Sequence, residues 1–170
     1  MNIDKLYDNH HEINKRYEFF ISKEQLIKKN TKGLAQAHIS KAKHNLEFFE
    51  KNKQNYNFKD WLIVILYYSL YHCALALVTN KNYVSKNPTA TLIFLLKEYN
   101  ISKEEANLLE DLSISKNDAK FYDTLKTQRH YASYNTNYAF SEEIINNYKK
   151  RVIEFMQKTM EIIQNANPPN

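Results

Sequence analysis

One glycine in 170 residues, Gly33, narrows what this chain can fold into more than any other feature. Phosphate-cradling loops and dinucleotide fingerprints need several glycines, because tight turns and close backbone approach require positions without a Cβ. Neither a P-loop nor a Rossmann fingerprint can be written with one. Three prolines leave few of the turn residues that hairpin-rich folds consume. Helices joined by short polar loops remain, in a chain of single-domain length that can bury a core without staples. Apolar residues make up 43% and charged residues 25%, a globular composition rather than a disordered one.

The lone cysteine, Cys73, excludes a disulfide framework or a cysteine-rich metal site within the chain. No basic start runs into an apolar stretch, so a cytoplasmic location is expected. The net charge of +5 is unevenly spread: residues 1–60 carry 12 Lys/Arg against 8 Asp/Glu, and residues 101–170 carry 9 against 10. Lys28, Lys29, Lys32, Lys41, Lys43, Lys51 and Lys53 dominate the excess. Such a surface attracts phosphate backbones, although a solvated lysine face accounts for it equally well.

Hydrophobic spacing gives the organisation. Residues 1–30 read as a polar helical appendage, with Ser22 and Gln25 as a capping box before Leu26 and Ile27. A helix over 31–54 carries the stripe Ala35, Ile39, Ala42, Leu46 and Phe49. Asn57 is placed to cap the next helix, whose 61–78 run is apolar nearly all round, as suits the centre of a bundle or a dimer core. A membrane span has the same length, but Tyr67, Tyr68, Ser69, Tyr71 and His72 put polar atoms where lipid cannot satisfy them. After a polar loop over 80–86, Pro88 opens a short helix with Leu92, Leu95, Leu96 and Tyr99. Ser102 and Glu105 form a second capping box ahead of Ala106, Leu109 and Leu112. A helix from about residue 117 bears Phe121, Leu125, Gln128 and Ala132, and a last one begins at Ser141 with Ile145, Tyr148, Val152, Phe155 and Ile162. The expected fold is therefore all-α: an up-down bundle of four to five helices over 31–165, an extra N-terminal helical segment, and a frayed tail at 166–170.

Metal chemistry is not encoded. Helical di-iron sites use Glu-x-x-His pairs, and no histidine here has a glutamate three positions before it. His38 and His44, six apart, fall on different helix faces and read as surface histidines. Cys73 reads as a buried thiol and His72 as a hydrogen-bonded core histidine, one able to line the seam if two copies of this helix pair. The 22 tyrosines and phenylalanines fall mostly on inward stripes. The cluster unlike core is Gln128-Arg129-His130-Tyr131-Ala132-Ser133-Tyr134-Asn135, which supplies phosphate-binding donors and acid-base groups within eight residues. A polar helix end whose tyrosines pack on a neighbour is the alternative.

That cluster and the central helix together resemble the HEPN family (higher eukaryotes and prokaryotes nucleotide-binding). The order is a lysine-rich helix with Lys41-Ala42-Lys43 and Leu46, then Tyr-Tyr-Ser-x-Tyr-His-Cys-Ala-x-Ala-Leu over 67–77, then a short helix, then Arg-x-x-Ala-Ser-Tyr over 129–134. The resemblance spans about 31–164 and fits the branch with an Arg-x-x-Ala-Asp/Ser-Tyr motif. It implies a four- or five-helix bundle that dimerises around a shared cleft, with no cofactor and no metal. It further implies a metal-independent endoribonuclease of a toxin–antitoxin or defence system, paired with a nucleotidyltransferase-type antitoxin. The alternative within the family is a module that binds RNA or nucleotide, or a dimeric scaffold, without turnover.

Carried onto this chain, Arg129 would hold the scissile phosphate while His130 or Tyr134 moved the proton of the attacking ribose hydroxyl. Lys126, Tyr131, Ser133 and Asn135 would help bind the nucleic acid or nucleotide. The family's usual motif histidine falls on Tyr134, Asn135 or Thr136, and none of these is histidine. Arg129 and Tyr134, five apart, lie about 140° apart on a continuous helix. They converge only if the helix breaks between them or a second copy supplies one of them. Tyr131 or Tyr134 would be the acceptor if such a partner adenylylates the site.

Overall fold

The computed structural model describes residues 6, 9–54, 59–99, 116–134 and 140–166, with the backbone alone at 116–119 and 134. Six helices and one two-stranded ribbon make up this part of the chain: α1 (His10–Ser22), β1 (Leu26–Lys28), α2 (Leu34–Asn52), α3 (Lys59–Asn80), β2 (Tyr83–Ser85), α4 (Pro88–Glu98), α5 (Lys116–Tyr134) and α6 (Glu142–Ala166). The all-α bundle expected from the spacing is what forms.

Helix α3 is the axis. Thirteen of its residues are buried, and α2, α4, α5 and α6 all pack on it. It is the one described helix long and apolar enough to cross a membrane, but 72% of its apolar window is covered by the rest of the bundle. The Ser69 hydroxyl donates to the Ala42 carbonyl at 2.9 Å, so the polar atom at its centre is satisfied by α2. Each neighbour presents its expected stripe: Ile39, Ala42 and Phe49 from α2, Phe121, Leu125 and Ala132 from α5, and Ile145, Val152, Phe155 and Ile162 from α6.

Helix ends follow local chemistry. Pro88 stands at the start of α4, and the Asn87 side chain accepts from the Thr89 and Ala90 amides. Gly33 precedes α2 at φ 81°, a left-handed conformation that suits the one residue without a Cβ. The last four carbonyls of α3 have no intrahelical partner. Tyr99 donates its hydroxyl to the Leu77 carbonyl at 2.7 Å, and Thr31 donates to the Thr79 carbonyl at 2.6 Å. The C-terminus of the central helix is thus capped by side chains far away in sequence.

Two expectations change. Ser22 and Gln25 do not open a helix: Ser22 closes α1, its hydroxyl donating to the Phe19 carbonyl, and Leu26–Lys28 is a strand. The loop expected at 80–86 contains β2, which pairs with β1 antiparallel in the register Leu26↔Ser85, Ile27↔Val84, Lys28↔Tyr83. Leu26 is apolar enough to enter the core, but three residues of ribbon bury it with fewer ordered residues than a helix would need. The N-terminal segment packs on α4 and contributes Leu6, Ile13, Tyr17 and Leu26 to the same core as the bundle. Asn57 and the Ser102–Glu105 capping box lie outside the described residues, as does the tail beyond Ala166.

Replacing Tyr99 by phenylalanine leaves the Leu77 carbonyl buried and unpaired, which costs about 1–3 kcal/mol. Urea denaturation of Tyr99→Phe is expected to show a lowered midpoint with an unchanged slope. An unchanged midpoint would mean that the cap contributes nothing.

Candidate functional site

Arg129 occupies a core position of its helix. Tyr122, Leu125, Arg129 and Ala132 follow one another at spacings of three and four, the face that α5 turns toward α3. The Arg129 guanidinium carbon sits 4.9 Å from the centroid of the Tyr67 ring. Tyr67 in turn stacks on Tyr71, one helical turn further along α3, with ring centroids 5.8 Å apart and 8° between planes. Tyr122 is buried alongside, its hydroxyl donating to the Pro88 carbonyl at 3.3 Å. The arginine therefore lies against the first of a wall of three clustered tyrosines.

The electrostatics of this wall are unusual. No carboxylate meets Arg129 among the described residues, and its Nε is buried without a hydrogen-bond partner, as is the Oε1 of the adjacent Gln128. Burial pushes the Tyr67 hydroxyl up to about 12, and the nearby Arg129 charge only partly opposes that. Burial also raises Tyr71, against a hydrogen bond to Thr91, and places Tyr122 well above its ordinary value. All three hydroxyls are thus protonated at neutral pH. They cannot accept a proton as a base, and the hydroxyls of Tyr122 and Tyr71 already have partners in Pro88 and Thr91.

The other expected site residues divide around the helix. His130 is exposed, about 100° away from Arg129, with its ring 6.4 Å from that of Tyr131. Tyr131 and Ser133 are exposed as well. Lys126 is paired with Asp123 at 2.7 Å, so its charge is already committed within the helix. Helix α5 continues unbroken through Tyr134, so no break between the two brings that position round to Arg129. The side chain of Tyr134 and all of Asn135 lie outside what is described. Within one copy, Arg129 keeps company with Tyr67 rather than with His130.

Two groupings escaped the sequence reading. His38 is not a surface histidine: its Nδ1 lies 3.0 Å from Nδ1 of His72, joining α2 to α3. The ring centroids are 5.3 Å apart, and burial lowers the pKa of His38. His72 falls to about 4, chiefly through burial, with His38 and Lys41 adding to it. One imidazole donates to the other, so both are neutral at pH 7. No cluster of three or more metal-ligating side chains occurs among the described residues. Cys73 is fully buried, and burial pushes its thiol up to about 12, which makes it an inert core residue.

The second grouping is an apolar groove of about 510 Å³ between α2 and α3, lined by Phe48, Asn52, Trp61, Val64, Ile65 and Tyr68, among others. Trp61 is 59% exposed, Phe48 52% and Tyr68 44%. Together with partly exposed Ile65, His72 and Leu75, two of these form the single uncovered stripe of α3: 61, 65, 68, 72 and 75, spaced four, three, four, three. This spacing was present in the sequence, but in a helix apolar on every side it does not stand out from the buried positions. When compared with known proteins, the chain matches no protein-family model and no curated sequence.

The lowered histidines give a signed pH dependence. Each is neutral when folded and more basic when unfolded, so the unfolded state binds more protons as pH falls below about 6.5. Stability is therefore full above that pH and is lost progressively toward the folded value of about 4 for His72. The melting temperature is expected to fall between pH 6.5 and 4, and to fall less in His38→Asn/His72→Asn. An equally steep fall in the double variant would assign the acid limb to other groups.

Proposed function

We propose that this chain is a HEPN-like module that binds a phosphate-bearing ligand, RNA or a nucleotide, at Arg129. The observation that carries this reading is a guanidinium laid against Tyr67 with a buried, unpartnered Nε and no carboxylate in contact among the described residues. Desolvating a charge without a counter-charge is costly. A phosphate would supply that counter-charge and accept from the arginine's planar fork of donors.

Binding without turnover fits this wall better than cleavage does. Attack by a ribose 2′-oxygen needs a proton acceptor, and Tyr67, Tyr71 and Tyr122 are all held protonated. In the endoribonuclease reading, His130 takes the proton and reaches the phosphate held by Arg129 of a second copy. Exposed Tyr131 is then the side chain open to adenylylation by a nucleotidyltransferase-type antitoxin.

The same proposal includes a homodimer through α3. The stripe Trp61, Ile65, Tyr68, His72, Leu75 has the 3.5-residue repeat of helices that pair along a seam. An antiparallel copy crossing at Tyr68 would set Trp61 against Leu75 of its mate and Tyr68 against itself, with Ile65 and His72 interleaving on either side of the crossing. Self-complementarity of this kind is what a two-fold interface requires.

Two measurements test these readings. Arg129→Ala is expected to lower affinity for a labelled RNA oligonucleotide at least ten-fold while the fold, followed by circular dichroism, stays intact. Equal affinity in the variant would remove Arg129 from the site. The same samples incubated in EDTA reveal any cleavage: 2′,3′-cyclic phosphate ends made by the wild type alone would make the protein a nuclease. Light scattering after size exclusion is expected to give twice the chain mass for the wild type and the chain mass for Trp61→Glu/Tyr68→Glu. A monomeric wild type at micromolar concentration would end the dimer proposal.

A further inference from the structure

The ribbon assembles a charge patch that neither of its strands has alone. Residues 23–32 carry Lys23, Lys28, Lys29 and Lys32, and residues 81–86 carry Lys81 and Lys86, against a single acid, Glu24. Antiparallel pairing of β1 and β2 brings these runs together, about 5 Å apart across the ladder. Beyond the strands, the Lys29 amide donates to the Asn82 carbonyl and the Lys86 amide to the Gln25 carbonyl, each at 2.9 Å. All six lysines are exposed.

Several lysines elsewhere are neutralised, while Lys41, Lys43 and Lys51 of α2 meet no carboxylate among the described residues but stand along one helix instead of being gathered by a ladder. Lys53, Lys59, Lys97, Lys126, Lys149 and Lys150 each meet a carboxylate. Among the described residues none of the ribbon's six does; Lys81 instead lies over the Tyr99 ring, 5.6 Å from its centroid. Like charges gathered on one ribbon repel one another, and a flexible loop would let them spread. This one is fastened. Thr31 donates to the Thr79 carbonyl, Thr91 donates to the Ser85 hydroxyl, and the ladder bonds close the rest. The three described residues with left-handed backbone, Glu24, Gly33 and Asn82, all flank the ribbon. For Glu24 and Asn82 that conformation costs energy, and such strain gathers where the surrounding structure over-determines a shape.

We infer that the β1–β2 ribbon is a docking surface for the sugar-phosphate backbone of single-stranded RNA, so that the ligand of this protein is a polynucleotide and not a free nucleotide. The inference rests on the Arg129 reading for the identity of the anion, and the ribbon adds the substrate class. A fixed array of unpaired ammonium groups suits a polymer with one charge every few ångströms, because each contact releases condensed counterions. A mononucleotide has too few phosphates to use it. A buried path of contacts ties the ribbon to the arginine: Ser85 of the ribbon bonds Thr91, Thr91 is hydrogen-bonded to Tyr71, Tyr71 stacks on Tyr67, and Tyr67 lies under Arg129. The two exposed apolar residues nearest the patch, Phe19 and Leu34, stand on different helices and make no continuous face for lipid.

The test is fluorescence anisotropy with a labelled 20-nucleotide oligouridylate, titrated across KCl concentrations. Lys28→Glu/Lys29→Glu/Lys86→Glu is compared with wild type, with Arg129→Ala, and with Lys41→Glu/Lys43→Glu/Lys51→Glu, which changes net charge equally on exposed α2. The ribbon variant is expected to lose at least ten-fold in affinity, with the slope of log K against log salt shallower by about 2, three single-strand contacts at roughly 0.7 each. The α2 variant is expected to stay within about two-fold of wild type. Unchanged affinity in the ribbon variant, or an equal loss in the α2 variant, would overturn the inference. So would a wild type that ignores the oligonucleotide but sediments with phosphatidylserine vesicles. Loss in the ribbon variant with none in Arg129→Ala would keep the ribbon and remove the Arg129 site, and the opposite pattern would do the reverse.

Discussion

The helix Lys59–Asn80 has almost no polar face to offer water, and the placement of the four helices packed on it follows from covering it. Burial of a large apolar side chain is worth roughly 1.5–3 kcal/mol, and this one helix supplies thirteen buried positions. Four helices gather around it, and its polar atoms are satisfied by side chains chosen from elsewhere: Ser69 by the Ala42 carbonyl, the Leu77 carbonyl by Tyr99, the Thr79 carbonyl by Thr31. The same requirement explains the ribbon, which carries the chain from the end of the central helix back past the start of α2. The central helix keeps one uncovered stripe, and the proposed dimer is placed there.

Arg129 is best understood against this background. Its position in the stripe of α5 sends it toward the central helix, where the aromatic wall of Tyr67, Tyr71 and Tyr122 receives it. The wall has two consequences that pull in different directions for chemistry. It desolvates the guanidinium and so strengthens any anion contact. It also holds the tyrosine hydroxyls in their protonated form, which removes them as bases. This composition is why the proposed role is to hold a phosphate and not to attack next to it.

Much of the fold was legible because helices announce themselves by period. The stripes over Ala35–Phe49, Phe121–Ala132 and Ile145–Ile162 each turned inward, Asn87 and Pro88 started α4, and the apolar 61–78 run became the core. Short strands give no such signal: Leu26–Lys28 and Tyr83–Ser85 are three residues each and exist only because they find one another. The site was half legible. Arg129 stood out as an arginine amid aromatic and polar neighbours, but its partners did not, since Tyr67 and Tyr71 looked like any other aromatics of a core helix. His38 and His72, 34 residues apart, had nothing in their spacing to connect them.

By itself, then, the sequence determined helical class, the identity of the central helix and the position of the arginine, because composition and a 3.6-residue period are local properties of the chain. Only the tertiary structure decided which face of each helix remained open, which histidines shared a hydrogen bond, and where the lysines gathered. Those depend on distances between segments tens of residues apart, and such distances are set by packing. A run of lysines at 23–32 and another at 81–86 is unremarkable on paper; the ladder between β1 and β2 turns them into one surface.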